Sequence, residues 1–81
     1  MKAYVLAKVQ TGQVGEALSQ VREFANVTKA DMTFGPYDLI ATIEGADLNA
    51  LGRTIAWEIQ CVPGVLETVT CLAVEPGGRV R

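Results

Sequence analysis

Three polar side chains in this chain stand where apolar ones would be expected. Asp38 sits in "FGPYDLIA" (34–41), directly after a Gly-Pro turn and directly ahead of an apolar run, and Thr68 and Thr70 share one face of the last alternating segment, "VLETVTCLAV". Aspartate is depleted in strands, and a carboxylate taken out of water without partners is strongly disfavoured, so Asp38 must be paired. Two sets of partners are compatible with its position. Backbone N–H groups could hold it as a turn-fixing residue. Alternatively it could receive the ammonium group of a ligand whose carboxylate is held by turn amides and by the threonine hydroxyls. Residue types alone leave both open.

Other chemistry has little to draw on. The chain has no histidine, no glycine-rich phosphate loop ahead of a helix, no acidic cluster with metal spacing, and no serine or cysteine placed with a base. A catalyst would have to work with Asp38, Glu44, Tyr37 or a cysteine nearly alone, so the expectation is a non-enzyme without cofactor or metal. Cys61 and Cys71 form neither a CxxC pair nor a zinc spacing and are expected as buried free thiols. Seven Lys or Arg against nine Asp or Glu give a net charge of −2 without a basic cluster, which argues against nucleic acid as a partner. The opening "MKAYVLAKVQ" is too short for a signal-peptide core or a membrane span, so a cytoplasmic protein is expected.

These residues need elements to position them. Residues 2–9 alternate with apolar groups on both faces, as in a central strand. Val14, Ala17, Leu18, Val21 and Phe24 or Ala25 recur at helical spacing over about 12–25, with Thr11 or Gly12 as the cap. In "VTKADMTF", Val27, Lys29, Asp31 and Thr33 oppose Thr28, Ala30, Met32 and Phe34, the pattern of an edge strand with one polar face. Leu39, Ile40, Ala41 and Ile43 load both faces of a second central strand. Asp47 stands at an N-cap, and Leu48, Leu51, Ile55 and Ile59 form the apolar stripe of a helix over 47–60 that Pro63-Gly64 stops. Leu66, Thr68, Thr70, Leu72 and Val74 then oppose Val65, Glu67, Val69, Cys71 and Ala73 in the last strand.

Strand, helix, strand, strand, helix, strand is the ferredoxin-like α+β plan, βαββαβ, with a four-stranded antiparallel sheet and the first and third strands at its centre. One domain is expected over 1–76 and a flexible, solvated tail over 77–81. Two helices cover one face of such a sheet, whereas the central strands are apolar on both. A two-fold dimer with the sheets face to face, a dimeric α/β barrel, buries the other face with no further partner. Trp57 falls off the apolar stripe and is expected at the edge of the core, with an inter-subunit anchor as the alternative.

The runs "TFGPYDLIATIEGADLNALGRTI" and "IQCVPGVLETVTCLAV" resemble the ligand-binding domain of the Lrp/AsnC family, the regulation-of-amino-acid-metabolism domain, over about residues 3–74. The similarity rests on the Gly-x-Tyr-Asp turn and on the Pro63-Gly64-Val65 entry to a threonine-bearing strand. It implies face-to-face dimers that assemble into closed oligomers such as octamers or decamers, with amino-acid effectors in clefts between dimers. Gly35, Tyr37 and Asp38 match the family's turn motif, Leu39 follows it, and Thr68 and Thr70 match polar positions lining the same cleft. By this resemblance the chain is a stand-alone form of the effector-binding domain without the helix-turn-helix, binding itself, an amino acid and full-length relatives, with no direct contact to nucleic acid or membrane. Three rivals share the element order: an ACT-like regulatory domain, whose glycine-bearing first loop Gly12 and Gly15 match only loosely; a small enzyme of the dimeric ferredoxin-like barrel group; and a purely structural oligomerisation module.

Overall fold

Alternating apolar side chains in two strands build one half of the core. In the computed structural model, which describes residues 1–75, β1 (Lys2–Val9) turns Ala3, Val5, Ala7 and Val9 toward the helices, and β3 (Leu39–Glu44) turns Leu39, Ala41 and Ile43 the same way. Ala17, Leu18 and Val21 of α1 (Val14–Val21), Leu51 of α2 (Leu48–Arg53) and Ile59 close the layer above them. Each fully buried leucine or isoleucine contributes about 1.5–3 kcal/mol relative to exposure. With β2 (Val27–Met32) and β4 (Val65–Leu72), the sheet is antiparallel in the order β2-β3-β1-β4. The fold is thus the ferredoxin-like βαββαβ that the element order predicts, with the two-faced apolar strands at the centre. The tail expected over 77–81 lies outside the described residues.

Strict alternation fails at two places, for the same reason. Val27 pairs with Ile43 and Lys29 with Thr42, which leaves Thr28 as an extra residue; Val65 pairs with Val9 and Glu67 with Lys8, which leaves Leu66 as another. One inserted residue moves everything before it to the opposite face. Val27 and Val65, expected beside charged residues, therefore pack against the core.

The helices are shorter and less regular than their sequence pattern. Gly12 takes φ +89° in a turn, and α1 starts only at Val14, without a side-chain cap. Arg22, just past its end, donates through Nε and Nη2 to Ala30 O at 3.1 and 2.8 Å, tying α1 to the edge strand. The segment expected as one helix over 47–60 is an α-helix only to Arg53, followed by a π turn over Thr54–Glu58 and a 3₁₀ turn over Ile59–Cys61. Asp47 caps it as predicted, Oδ1 accepting from Ala50 N at 2.9 Å. Asp47→Ala should lower stability by about 1 kcal/mol in urea denaturation, the typical effect of losing such a cap.

The π turn carries Ile59 into the core and buries Thr54, whose hydroxyl donates to Ala50 O at 3.3 Å and accepts from Asn26 Nδ2 at 2.9 Å. Leu48, assigned to the buried stripe by its spacing, is exposed because the stripe begins one turn later, at Leu51. Trp57 is 73% exposed rather than at the core edge. Cys61 and Cys71 are exposed as well, the first at the end of the 3₁₀ turn and the second on the sheet face away from the helices, so the expectation of buried thiols does not hold in the single chain. At Gly64, φ is +94° and a Cβ would run into Gln13 Oε1; a side chain is excluded where the Pro63-Gly64 turn meets the start of α1. No helix among the described residues is long and apolar enough to cross a membrane.

Candidate functional site

The turn between β2 and β3 is closed by its own polar groups. Thr33 N donates to Asp38 O at 2.9 Å and the Thr33 hydroxyl to Tyr37 O at 2.7 Å, which holds Phe34, Gly35 and Pro36 out as an exposed tip. Asp38 then reaches β1 twice. Its N–H donates to Ala7 O at 2.9 Å, and its carboxylate Oδ2 accepts from Val9 N at 2.8 Å. The β1–β3 ladder runs out at Ala7–Leu39, so the carboxylate supplies the acceptor that the next rung would have given. The carboxylate thus has a structural role, but it joins the start of β3 to the end of β1 rather than closing the turn through turn amides. That role uses one oxygen of the half-buried carboxylate; Oδ1 has no hydrogen-bond partner among the described residues.

Two neighbours of this turn are not evident from the local sequence. Lys8 Nζ stands 5.8 Å from the centroid of the Tyr37 ring, within cation–π range, and Lys8 is opposite Glu67 across β1 and β4. Lys8 breaks the apolar pattern at the end of β1, and that is the one signal that could have marked it. The second neighbour is the Val9 N–H, 29 residues from Asp38, a partner that only the fold reveals.

Leu39 and the threonines lie elsewhere. Leu39 is fully buried beneath the helices, so only its main chain borders the turn. Thr68 is level with Ala7 and Thr70 with Val5, which puts both hydroxyls on the helix side of β4. Thr68 accepts from Gln60 Nε2 at 3.0 Å and lines a cavity of about 410 Å³ with Gln60, Val65, Leu66 and Glu67. Thr70 is exposed one step further along the same face. β1 separates β3 from β4, so the turn and the threonines are roughly 10 Å apart at two strand spacings; the Asp38 carboxylate stands at the end of the β1–β3 ladder and the threonines on the helix face of β4. Gly35, Tyr37 and Asp38 come together in one chain; Thr68 and Thr70 form a second group across the sheet.

The sheet face turned away from the helices carries Tyr4 and Leu6 of β1, Ile40 and Thr42 of β3, and Val69 and Cys71 of β4. Leu6 is flanked by Ile40 and Val69 in one row. Charged side chains, Lys2, Lys8, Glu44 and Glu67, stand at its ends. This is an apolar centre with a polar rim, the composition of a buried contact. No group of three or more potential metal ligands occurs among the described residues.

Comparison with known proteins agrees with this architecture. The model of the Lrp/AsnC ligand binding domain matches residues 2–76. The crystal structure of TTHA0845 from Thermus thermophilus is 28% identical, superimposes with a TM-score of 0.88, and is covered over 98% of its length by 96% of this chain. That of FFRP-DM1 is 27% identical with a TM-score of 0.86, over 90% of this chain and 97% of the other. The transcriptional regulator NMB0573 of Neisseria meningitidis, solved as an L-Met complex, shares the fold at 15% identity and a TM-score of 0.81; 96% of this chain covers 52% of it. Among curated proteins none matches. With the family pattern spanning all four strands and both helical segments, the chain belongs to the Lrp/AsnC ligand-binding domain family, a regulatory domain.

Proposed function

We propose that this chain is an amino-acid-sensing oligomeric domain of the cytoplasm, built from face-to-face sheet dimers, whose effector binds between dimers. The carrying observation is that the fold uses only one oxygen of Asp38, leaving Oδ1 for an ammonium group. Gly35 and its neighbours offer main-chain groups at the same exposed turn. The second group, Thr68 and Thr70, lies two strands away on the helix face of β4. One small ligand touching both groups therefore needs two chains, the turn coming from one and β4 from the other. Such a ligand stabilises whichever assembly presents both halves, by RT ln(1 + [L]/Kd), so binding and oligomeric state are linked without any covalent chemistry. The reading is not enzymatic. Transmission to a full-length relative in a mixed oligomer would follow the same linkage.

Asp38→Asn separates the two roles of the residue, because the amide oxygen can still accept from Val9 N while the charge is gone. Isothermal calorimetry across the twenty amino acids should show binding to the parent and at least tenfold weaker binding to the variant, the scale of a lost charge-assisted hydrogen bond. The variant's thermal unfolding should stay cooperative. Unfolding of the variant would make the residue structural only, and a parent indifferent to every amino acid would remove the effector claim.

A further inference from the structure

Phe34 is the most exposed large apolar side chain among the described residues, at 105%. Its support is nonetheless ordered. Thr33, on one side of the tip, donates to Asp38 O and Tyr37 O on the other, and Asp38 is bound in turn to Ala7 and Val9 of β1. The ring has no place in the core of its own chain, and held on a closed turn it has little freedom to lose on being covered.

An unfilled recess stands at the same end of the sheet. Met32 pairs with Leu39, Ala7 with both Leu39 and Thr68, and Val9 with Val65, so the β2–β3 turn and the start of β4 are level with each other. The cavity of about 410 Å³ at the start of β4 therefore lies roughly 10 Å to the side of the turn, two strand spacings away. Leu66, the extra residue of the bulge, is 65% exposed in its wall next to Val65. No aromatic side chain lines this cavity, whose volume is that of a small ligand pocket and admits one ring.

A knob and a recess side by side on one end are complementary to a second copy related by a two-fold axis: Phe34 of each chain enters the cavity of the other, and both features are used twice. The charges agree with this pairing. Lys8 Nζ stands beside the Tyr37 ring at the turn, Glu67 lines the cavity, and neither takes part in the one ion pair found among the described residues, Lys29 with Asp31. The reciprocal contact turns the cation of one chain toward the anion of the other. One side chain per subunit does not offset the freedom lost when two chains associate, so this contact cannot pair single chains. It joins chains already paired through the open sheet face, which present two such ends each.

We infer that Phe34 is the anchor of a reciprocal contact between copies of this chain, seated in the cavity that Val65, Leu66 and Thr68 line in the other copy. The inference rests on the proposed arrangement in which the turn of one chain meets β4 of another, and it adds the side chain that holds the two together.

Sedimentation velocity at equal chain concentrations tests it, with no amino acid added. The parent should sediment as more than two chains. Phe34→Ser should sediment as two, its dissociation constant between pairs raised about a hundredfold or more, roughly tenfold for each of the two rings lost. Leu66→Asp, which alters only the recess, should give the same two-chain species, whereas Phe34→Leu, which keeps an apolar knob, should retain most of the larger assembly. Far-UV circular dichroism of all three should match the parent. The inference is overturned by a parent never larger than two chains, or by Phe34→Ser or Leu66→Asp assembling as the parent does. The effector reading fails separately. A parent whose mass no amino acid alters, but which Phe34→Ser reduces to two chains, would keep this contact and remove the effector.

Discussion

Leu6→Glu is expected to convert the protein to a monomer of 8.7 kDa in sedimentation velocity, while its far-UV circular dichroism remains that of a folded domain. Leu6 is at the middle of the row Ile40–Leu6–Val69 on the face that no helix covers, and it is not part of the buried core. A two-fold pairing of sheets buries that row on both chains, and a standard interface needs about 800 Å² from each partner. A glutamate there would bring an unpaired carboxylate into the contact from each subunit, a penalty of several kcal/mol per charge. In the monomer the same glutamate faces water. A variant that sediments at the parent's mass would show that the open face is not the dimer contact.

Leu51→Ala is the largest change expected within the fold itself. Leu51 is buried under α2, so tightly set against the end of β3 that a Cβ on Gly45 would lie 3.2 Å from its Cδ2. Truncation of such a leucine destabilises by about 2–5 kcal/mol. At roughly 0.05–0.15 kcal/mol per residue, a domain of this length holds only about 4–12 kcal/mol in all. The urea midpoint should therefore fall by at least about a sixth, and by roughly two fifths at the middle of both ranges. Leu48→Ala, one turn earlier and exposed, should change stability by less than about 0.5 kcal/mol. Equal effects from the two leucines would mean that α2 is rotated or begins elsewhere.

Element order, the central strands and the Asp47 cap are legible in the chain because each follows from a local pattern. Two-faced apolar alternation in 2–9 and 39–43 identifies strands flanked on both sides, and an aspartate three residues before Ala50 identifies a cap. What sequence does not show is where a pattern slips. Thr28 and Leu66 are extra residues that only the pairing with β3 and β1 exposes, and they bring Val27 and Val65 into the core. The π turn is hidden for a related reason: its i to i+5 closure moves Ile59 into the core while the side-chain pattern still fits an ordinary helix. Trp57, which lies within that turn, is 73% exposed where the pattern put it at the core edge.

At the candidate site, Asp38 is conspicuous in the sequence because it is the wrong residue for a strand, but its partner on β1 is supplied by topology. Thr68 and Thr70 are conspicuous too. Their separation from Asp38 depends on the register of two strand pairs that no local pattern encodes. In the proposed function, that separation is the reason a ligand contacting both groups would need two chains.

The most direct measurement is the mass of the parent protein by light scattering, with and without each of the twenty amino acids. An even number of 8.7 kDa chains is expected, with a shift in the assembly on addition of at least one amino acid, a shift that Asp38→Asn abolishes. A monomer, or an assembly that no amino acid alters, would contradict it.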